Sequence, residues 1–344
     1  MKRLVQALAV TASVVALAPA AMAQDKAAGQ IAEIKQHTAA AHQIAGRDFA
    51  WMANMMCLNA EYGGELIGYF YAGQRMSDVD QDFEPTQIFD GVYYVGLREI
   101  GAYAIKTSGG VILVDSLLPG QTETYLIPHL AKVGIKPQDV KYLITTHAHT
   151  DHMGGAKYFQ DKYKTKLVMT AQDWEGAVKT EGGPAKDVVV ADGDKVTLGD
   201  KSVTIVFAPG HTPGALSVVM DVKDKGTPHK VFLMGGAGWG LAAMPPPMRP
   251  IYTNSLNQIE QVMQQNKVDV VLDGHAFLTN SLLKIAQVRQ LKAGAPNPLV
   301  IGEEGAKKWI TIMKECHAAS NARYQWLSDK FGAEPRQWPR QIVQ

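Results

Sequence analysis

Cysteine is scarce in this chain: Cys57 and Cys316 are the only two among 344 residues. Neither has a histidine or a second cysteine at ligand spacing, so a thiolate zinc site is not expected. An excess of charge of one sign is also missing. The 34 basic and 33 acidic side chains leave a formal charge of +1 without any basic tract, so nucleic acid is not an expected partner. The nucleophile-elbow pattern Gly-x-Ser-x-Gly is absent, which argues against covalent serine catalysis of that kind. Long apolar runs are lacking as well. The stretch 4–17 is short for a membrane span, and no stop-transfer pattern follows it. There is no internal repeat and no low-complexity tract.

That N-terminal stretch has another reading. Met1-Lys2-Arg3 is a short basic segment, 4–17 is apolar, and Ala21-Met22-Ala23 fits a small-x-small cleavage site. A signal peptide over 1–23 is expected, with the mature protein exported to a bacterial periplasm and holding no membrane span. Export gives the two cysteines meaning. An oxidising compartment allows a Cys57–Cys316 disulfide tying the two ends of the chain together, and two buried thiols are the alternative.

What the chain does have is a concentration of imidazole and carboxylate. His147, His149, Asp151 and His152 fall in the run Thr146-His147-Ala148-His149-Thr150-Asp151-His152-Met153-Gly154-Gly155. His211 and His275 each follow an apolar run and sit beside glycine, in Pro209-Gly210-His211 and Leu272-Asp273-Gly274-His275. Nitrogen and oxygen donors of this kind suit zinc, and six of them suffice for two ions with positions left open, as a catalytic site requires. His147 and His149, two apart, can converge on one ion, while Asp151 and His152 point to a second. The apolar run 140–144 reads as a buried strand, so the ligands sit at its C-terminal end, where loops of α/β proteins carry function.

The run H-x-H-x-D-H with His211 and His275 resembles the metallo-β-lactamase superfamily over about residues 86–292, and most resembles its third subclass of true β-lactamases. The resemblance implies one zinc on His147, His149 and His211 and another on Asp151, His152 and His275. It implies a second-shell role for Asp115, which ends the apolar run 111–114 and would accept a hydrogen bond from a metal-bound histidine; a helix cap is the alternative for this residue. Relatives that hydrolyse lactones or glyoxalase substrates add a bridging aspartate after a later strand. Val231-Phe232-Leu233-Met234-Gly235-Gly236-Ala237-Gly238 has no carboxylate there, which fits the third-subclass pattern.

The resembling family has an αββα sandwich, and the segment pattern agrees with an α/β (α+β) chain of two mixed sheets flanked by helices. Residues 24–85 are expected as a helical extension and linker, 86–292 as the sandwich, and 293–344 as a C-terminal helical extension. Helix is expected over 27–60, 121–133, 155–163, 171–179, 254–265, 279–293 and 303–330. Strands are expected at 92–95, 103–105, 111–114, 140–144, 166–169, 196–198, 203–207, 216–220, 231–234 and 268–272. Phe49, Trp51, Met52, Met55 and Met56 form an apolar patch that reads as core, with a cover over the cleft as the alternative. Trp309, Ile312, Met313, Trp326 and Leu327 fit one stripe of the last helix.

The implied activity is hydrolysis of a strained ring without a covalent intermediate. A bound dication lowers the pKa of water from 15.7 to about 7, so a metal-bound hydroxide is available at neutral pH, and Asp151 is placed to orient it. The leading expectation is a zinc-dependent, resistance-type β-lactamase with two Zn2+ ions and a small-molecule substrate. A lactonase or another cyclic ester or amide hydrolase is the alternative, followed by an iron redox protein or a non-catalytic periplasmic binding protein. The serines that bind the drug carboxylate in third-subclass enzymes are replaced here by Gly235, Gly236, Ala237 and Gly238. Trp239 or Arg249, beside the stiff run Pro245-Pro246-Pro247, are the expected substrate contacts, an ordinary surface loop being the alternative.

Overall fold

The computed structural model describes residues 17–62, 81–236 and 244–332. Most of the expected signal peptide and Trp239 lie outside the described residues. Two helices, Leu17–Ala45 (α1) and Ala50–Tyr62 (α2), precede the sheets. The expected single helix over 27–60 is thus broken at 46–49, and α2 turns to lay Met52, Met56 and Cys57 into a buried core. The expected cleavage point after Ala23 falls inside α1. No helix among the described residues is long and apolar enough to cross a membrane.

The first sheet opens as an antiparallel meander of Thr86–Phe89 (β1), Val92–Tyr94 (β2), Tyr103–Thr107 (β3) and Gly110–Val114 (β4). A π-helical turn at Thr122–Leu126 and the helix Ile127–Lys132 (α3) return the chain to Val140–Ile144 (β5), parallel to β4. A regular helix was expected over this crossover. Pro128 near the start of α3 has no N–H to give to a helical bond, and the turn before it takes the wider register. Short helices at Thr150–Met153 (α4) and Ala156–Tyr163 (α5), strand Lys166–Thr170 (β6), helix Ala171–Ala177 (α6) and strand Val188–Val190 (β7) complete a seven-stranded sheet in sequence order. Residues 111–114 are all buried, as the continuous apolar run of a central strand requires. The edge strands β1 and β7, only four and three residues long, lacked the run length that marks a strand in sequence.

The second sheet holds Lys195–Leu198 (β8), Lys201–Phe207 (β9), Leu216–Asp224 (β10) and Thr227–Met234 (β11). After the helix Met248–Gln265 (α7) comes Val270–Asp273 (β12), and the order is β12-β11-β10-β9-β8. Only β11 and β12 pair in parallel. Helices Ser281–Val288 (α8) and Gly302–Phe331 (α9) follow. The inner faces of the two sheets share one core, with Val114, Ile144 and Val168 on one side and Leu216, Val218, Leu233 and Leu272 on the other. A second core lies between the first sheet and α3, α5 and α6. A third joins the outer face of the second sheet to α2, α7 and α9. This is the expected αββα sandwich with helices added at both ends. Cys57 and Cys316 form a disulfide inside the third core, settling the open alternative in favour of the bond between α2 and α9. Trp309, Ile312 and Met313 are buried there, whereas Trp326 and Leu327 near the end of α9 are half-buried.

Candidate metal centre

All six expected ligands meet at one rim of the sandwich, each at the end of a strand or one short turn beyond it. Strand β5 ends at Ile144 and the chain passes through His147 and His149 into α4, which carries Asp151 and His152. His211 lies between β9 and β10, and His275 two residues after β12. Ligand atoms of His147, His149 and His211 lie within 4.8 Å of one another, as do those of His147, Asp151 and His152. His211 Nε2 is 3.1 Å from His149 Nδ1. His152 Nε2 lies 3.2 Å from Asp151 Oδ2 and 3.3 Å from His275 Nε2, and the His275–Asp151 distance is 3.6 Å. The donors therefore form two abutting groups, with His147 and His152 buried and His149 exposed at the mouth.

Hydrogen bonds behind the rings aim their lone pairs inward. His152 Nδ1 donates to Asp115 Oδ2 at 2.8 Å, and His275 Nδ1 donates to the Glu99 carbonyl at 3.0 Å. The Thr146 hydroxyl donates to Asp115 Oδ2 at 2.9 Å and can then accept from His147 Nδ1 at 3.1 Å. For His147 and His275 this leaves Nε2 as the bare acceptor, the form a metal ligand needs, and on His152 it turns Nε2 toward Asp151 and His275. His147 Nε2 is buried with no hydrogen-bond partner among the described residues. Such an orphan is costly unless something else fills its coordination, so the donor set fits a cation.

The electrostatics agree. Burial, reinforced by neighbouring imidazoles, pushes His147 well below the usual histidine range, His211 to about 3 and His275 to about 4. These rings are neutral at pH 7 and free to ligate. Burial also opposes charge on His152, but Asp115 and Asp151 outweigh it and raise this group to about 10. A cation entering there displaces a proton. Burial would raise the Asp151 carboxyl; the hydrogen bond from His152 and the charges of His152 and His275 instead hold it well below the carboxylate range.

The helix-cap alternative for Asp115 does not describe its contacts, which are the Thr146 amide and hydroxyl and His152. The placement of Arg249 corrects the expectation of a substrate contact. Its side chain is buried, donating through Nη1 to the Ser320 carbonyl and Asn321 Oδ1 and stacking 4.3 Å over Tyr324. Those partners belong to α9, so the guanidinium braces the C-terminal helix. Pro245–Pro247 lead directly into α7, which begins before the expected residue 254. The sequence reading missed Thr146, the Glu99 carbonyl and Asp173, which accepts from the Ala148 amide between the two first histidines. A Thr170-x-x-Asp173 cap pattern was the signal for Asp173, and a backbone carbonyl leaves none.

Comparison with known proteins gives two kinds of relative. The profile described as Metallo-beta-lactamase superfamily matches residues 96–226. A solved subclass B3 metallo-beta-lactamase of Bradyrhizobium japonicum is 31% identical with a TM-score of 0.59, over 70% of this chain and 92% of that one. The beta-lactamase from Chitinophaga pinensis is 27% identical with a TM-score of 0.55, over 71% of this chain and 94% of that one. An N-acyl homoserine lactonase of Bacillus cereus is 27% identical over 153 residues, 37% of this chain; the match spans only 60% of the lactonase.

Proposed function

The chain belongs to the metallo-beta-lactamase superfamily, and from that premise we propose that it is an exported dizinc hydrolase that opens β-lactam rings. His147, His149 and His211 would hold one ion, and Asp151, His152 and His275 the other; His147 Nε2, buried without a hydrogen-bond partner among the described residues, supports this assignment. Bound zinc would supply Lewis acidity toward a carbonyl and bring water within reach of deprotonation at neutral pH. The protein's own part is orientation. Asp115 and the Glu99 carbonyl fix the rings of His152 and His275. Asp151, ionised and partly exposed, presents an acceptor oxygen at the mouth that can align a water or hold a proton. The signal-like segment 1–23 and the disulfide support export to an oxidising compartment.

One observation carries the choice of β-lactam: the sequence after β11 offers no carboxylate, and Gly235 has no room for one. A Cβ on Gly235 would lie 1.9 Å from the Leu216 carbonyl oxygen. The bridging aspartate of the lactone-hydrolysing pattern is therefore excluded at that position. A lactone ring is the second reading, supported by the Bacillus relative and by the lack of a serine at 235 and 236. The test is hydrolysis of a chromogenic cephalosporin and of an N-acyl homoserine lactone by the mature zinc-loaded protein, with chelator and His147→Ala controls. Cephalosporin turnover lost in both controls is expected. Lactone turnover alone, lost in the same controls, would replace the first reading with the second.

A further inference from the structure

Asp173 is 3% exposed, stands at the third position of α6, and has no catalytic role in the reading above. Its carboxylate accepts three hydrogen bonds. Oδ2 takes the Ala148 amide at 2.8 Å and the Thr212 hydroxyl at 2.9 Å, and Oδ1 takes the Gly214 amide at 2.8 Å. The donors come from two loops that leave different sheets. Ala148 lies between His147 and His149 beyond β5, whereas Thr212 directly follows His211 between β9 and β10. We propose that Asp173 is a positioning residue for the three-histidine group, a single buried carboxylate that straps the His147–His149 loop to the His211 loop and sets the spacing of those imidazoles.

Several features fit a strap better than a helix cap. A buried carboxylate is unfavourable unless its lone pairs are filled, and bonds from neutral donors to an ionised acceptor are the stronger kind. Capping of α6 is done by Thr170, whose hydroxyl accepts from the Asp173 amide at 3.4 Å and donates to the Gly214 carbonyl at 2.7 Å. The Asp173 side chain is thus left for the loops. Gly214 approaches so closely that an added Cβ would stand 2.2 Å from Thr170 Oγ1 and 2.6 Å from Asp173 Oδ1. Among the described residues the hydrogen bonds that Asp173 accepts come from two backbone amides and a hydroxyl and none from an imidazole, so it acts through the loops that carry the rings. It matches Asp115, which accepts from Thr146 and His152 behind the other group. Each half of the centre then has its own buried carboxylate.

The proposal rests on the assignment of His147, His149 and His211 as metal ligands, and the test separates the two. Asp173→Asn keeps the shape but turns one acceptor into a donor that faces the Ala148 or the Gly214 amide. Thr212→Val removes one of the three donors and is the milder variant. Both are titrated with cobalt(II) against a competing chelator, with His211→Ala and His275→Ala supplying the reference absorption of each half. Asp173→Asn is expected to weaken the three-histidine site 10–100-fold, the usual effect of losing an outer-shell partner, and to leave the Asp151 site within a factor of three. Thr212→Val is expected to weaken the same site by a smaller factor, and it carries the test if the asparagine variant does not fold. A purely structural Asp173 would lower thermal stability without splitting the two affinities. Equal affinities in wild type and variants, or equal weakening at both sites, overturn the proposal. A wild-type protein whose cobalt spectrum is unchanged by His211→Ala overturns the ligand assignment and the proposal with it.

Discussion

The carboxylate of Asp115 accepts the Nδ1 proton of His152 at 2.8 Å, with both side chains almost completely removed from solvent. The same carboxylate holds the Thr146 amide and hydroxyl, so a single residue orients a ring and the loop that carries His147. Asp115 has φ of +61°, in the left-handed region that asparagine also tolerates. Asp115→Asn therefore keeps the backbone while weakening the acceptor. It is expected to reduce metal affinity at the Asp151–His152–His275 group by about 10–100-fold, measured by zinc competition with a chromophoric chelator. Unchanged affinity would mean that Asp115 does not orient His152.

The site was more legible than its supports. H-x-H-x-D-H is a local pattern whose geometry follows from one strand end and one turn, so His147 to His152 could be placed from spacing. His211 and His275 were recognisable because each follows an apolar run, and a buried strand delivers its next residues to the sheet's rim. What spacing could not yield is which donor stands behind each ring. The Glu99 carbonyl reaches His275 across 176 positions, and Asp173 reaches Thr212 across 39. Such contacts depend on how two sheets stack. Arg249 misled for a similar reason: a cation beside a proline run suggests an exposed loop, yet burial against α9 claims it. The disulfide also stayed open in sequence, since a 259-residue separation carries no local signal.

That bond closes a loop across a separation of 259 residues, holding both sheets but leaving α1 outside, with both sulfurs in the core that contains Met52, Met56, Ile312 and Met313. Cross-linking stabilises chiefly by restricting the unfolded state, more so for a long loop, although large loops often deliver less than the simple formula. The double variant Cys57→Ser, Cys316→Ser is expected to lose about 2–5 kcal/mol, read from urea midpoints, and to keep its metal stoichiometry because none of the six ligands belongs to the core that holds the bond. A variant that unfolds at the wild-type midpoint would show the bond to be energetically idle.

Gly235 explains why a serine cannot simply be restored after β11. Its backbone packs on the Leu216 carbonyl, where a Cβ would sit 1.9 Å from the oxygen and 2.7 Å from Thr146 Cβ. Both contacts are too short for any rotamer to relieve, and Leu216 is itself paired to the Thr146 carbonyl. Gly235→Ser is expected to destabilise by roughly 3 kcal/mol or more through backbone displacement, and to disturb Thr146 and hence metal binding. Thermal melts with and without zinc test this. A serine variant with wild-type melting and zinc response would show that the loop re-forms around the side chain.

His317 offers a pH dependence that is independent of the metal ligands. It is 1% exposed on α9, with Nε2 beside the Arg249 carbonyl at 3.2 Å and the Thr253 hydroxyl at 3.0 Å. Burial lowers it to about 4 from an ordinary value of 6.5. As pH falls below 6.5 the unfolded chain takes up a proton there while the folded chain does not. The contribution is therefore intact above pH 6.5 and lost progressively toward pH 4. At 1.36 kcal/mol for each unit, the loss is about 3 kcal/mol. Urea unfolding of the zinc-free wild type and His317→Gln at pH 7, 5.5 and 4 isolates the effect, because the ligand histidines titrate alike in both. The variant is expected to start less stable at pH 7 and to lose about 3 kcal/mol less on acidification; parallel losses would mean that His317 is protonated in the folded state or is not buried as described.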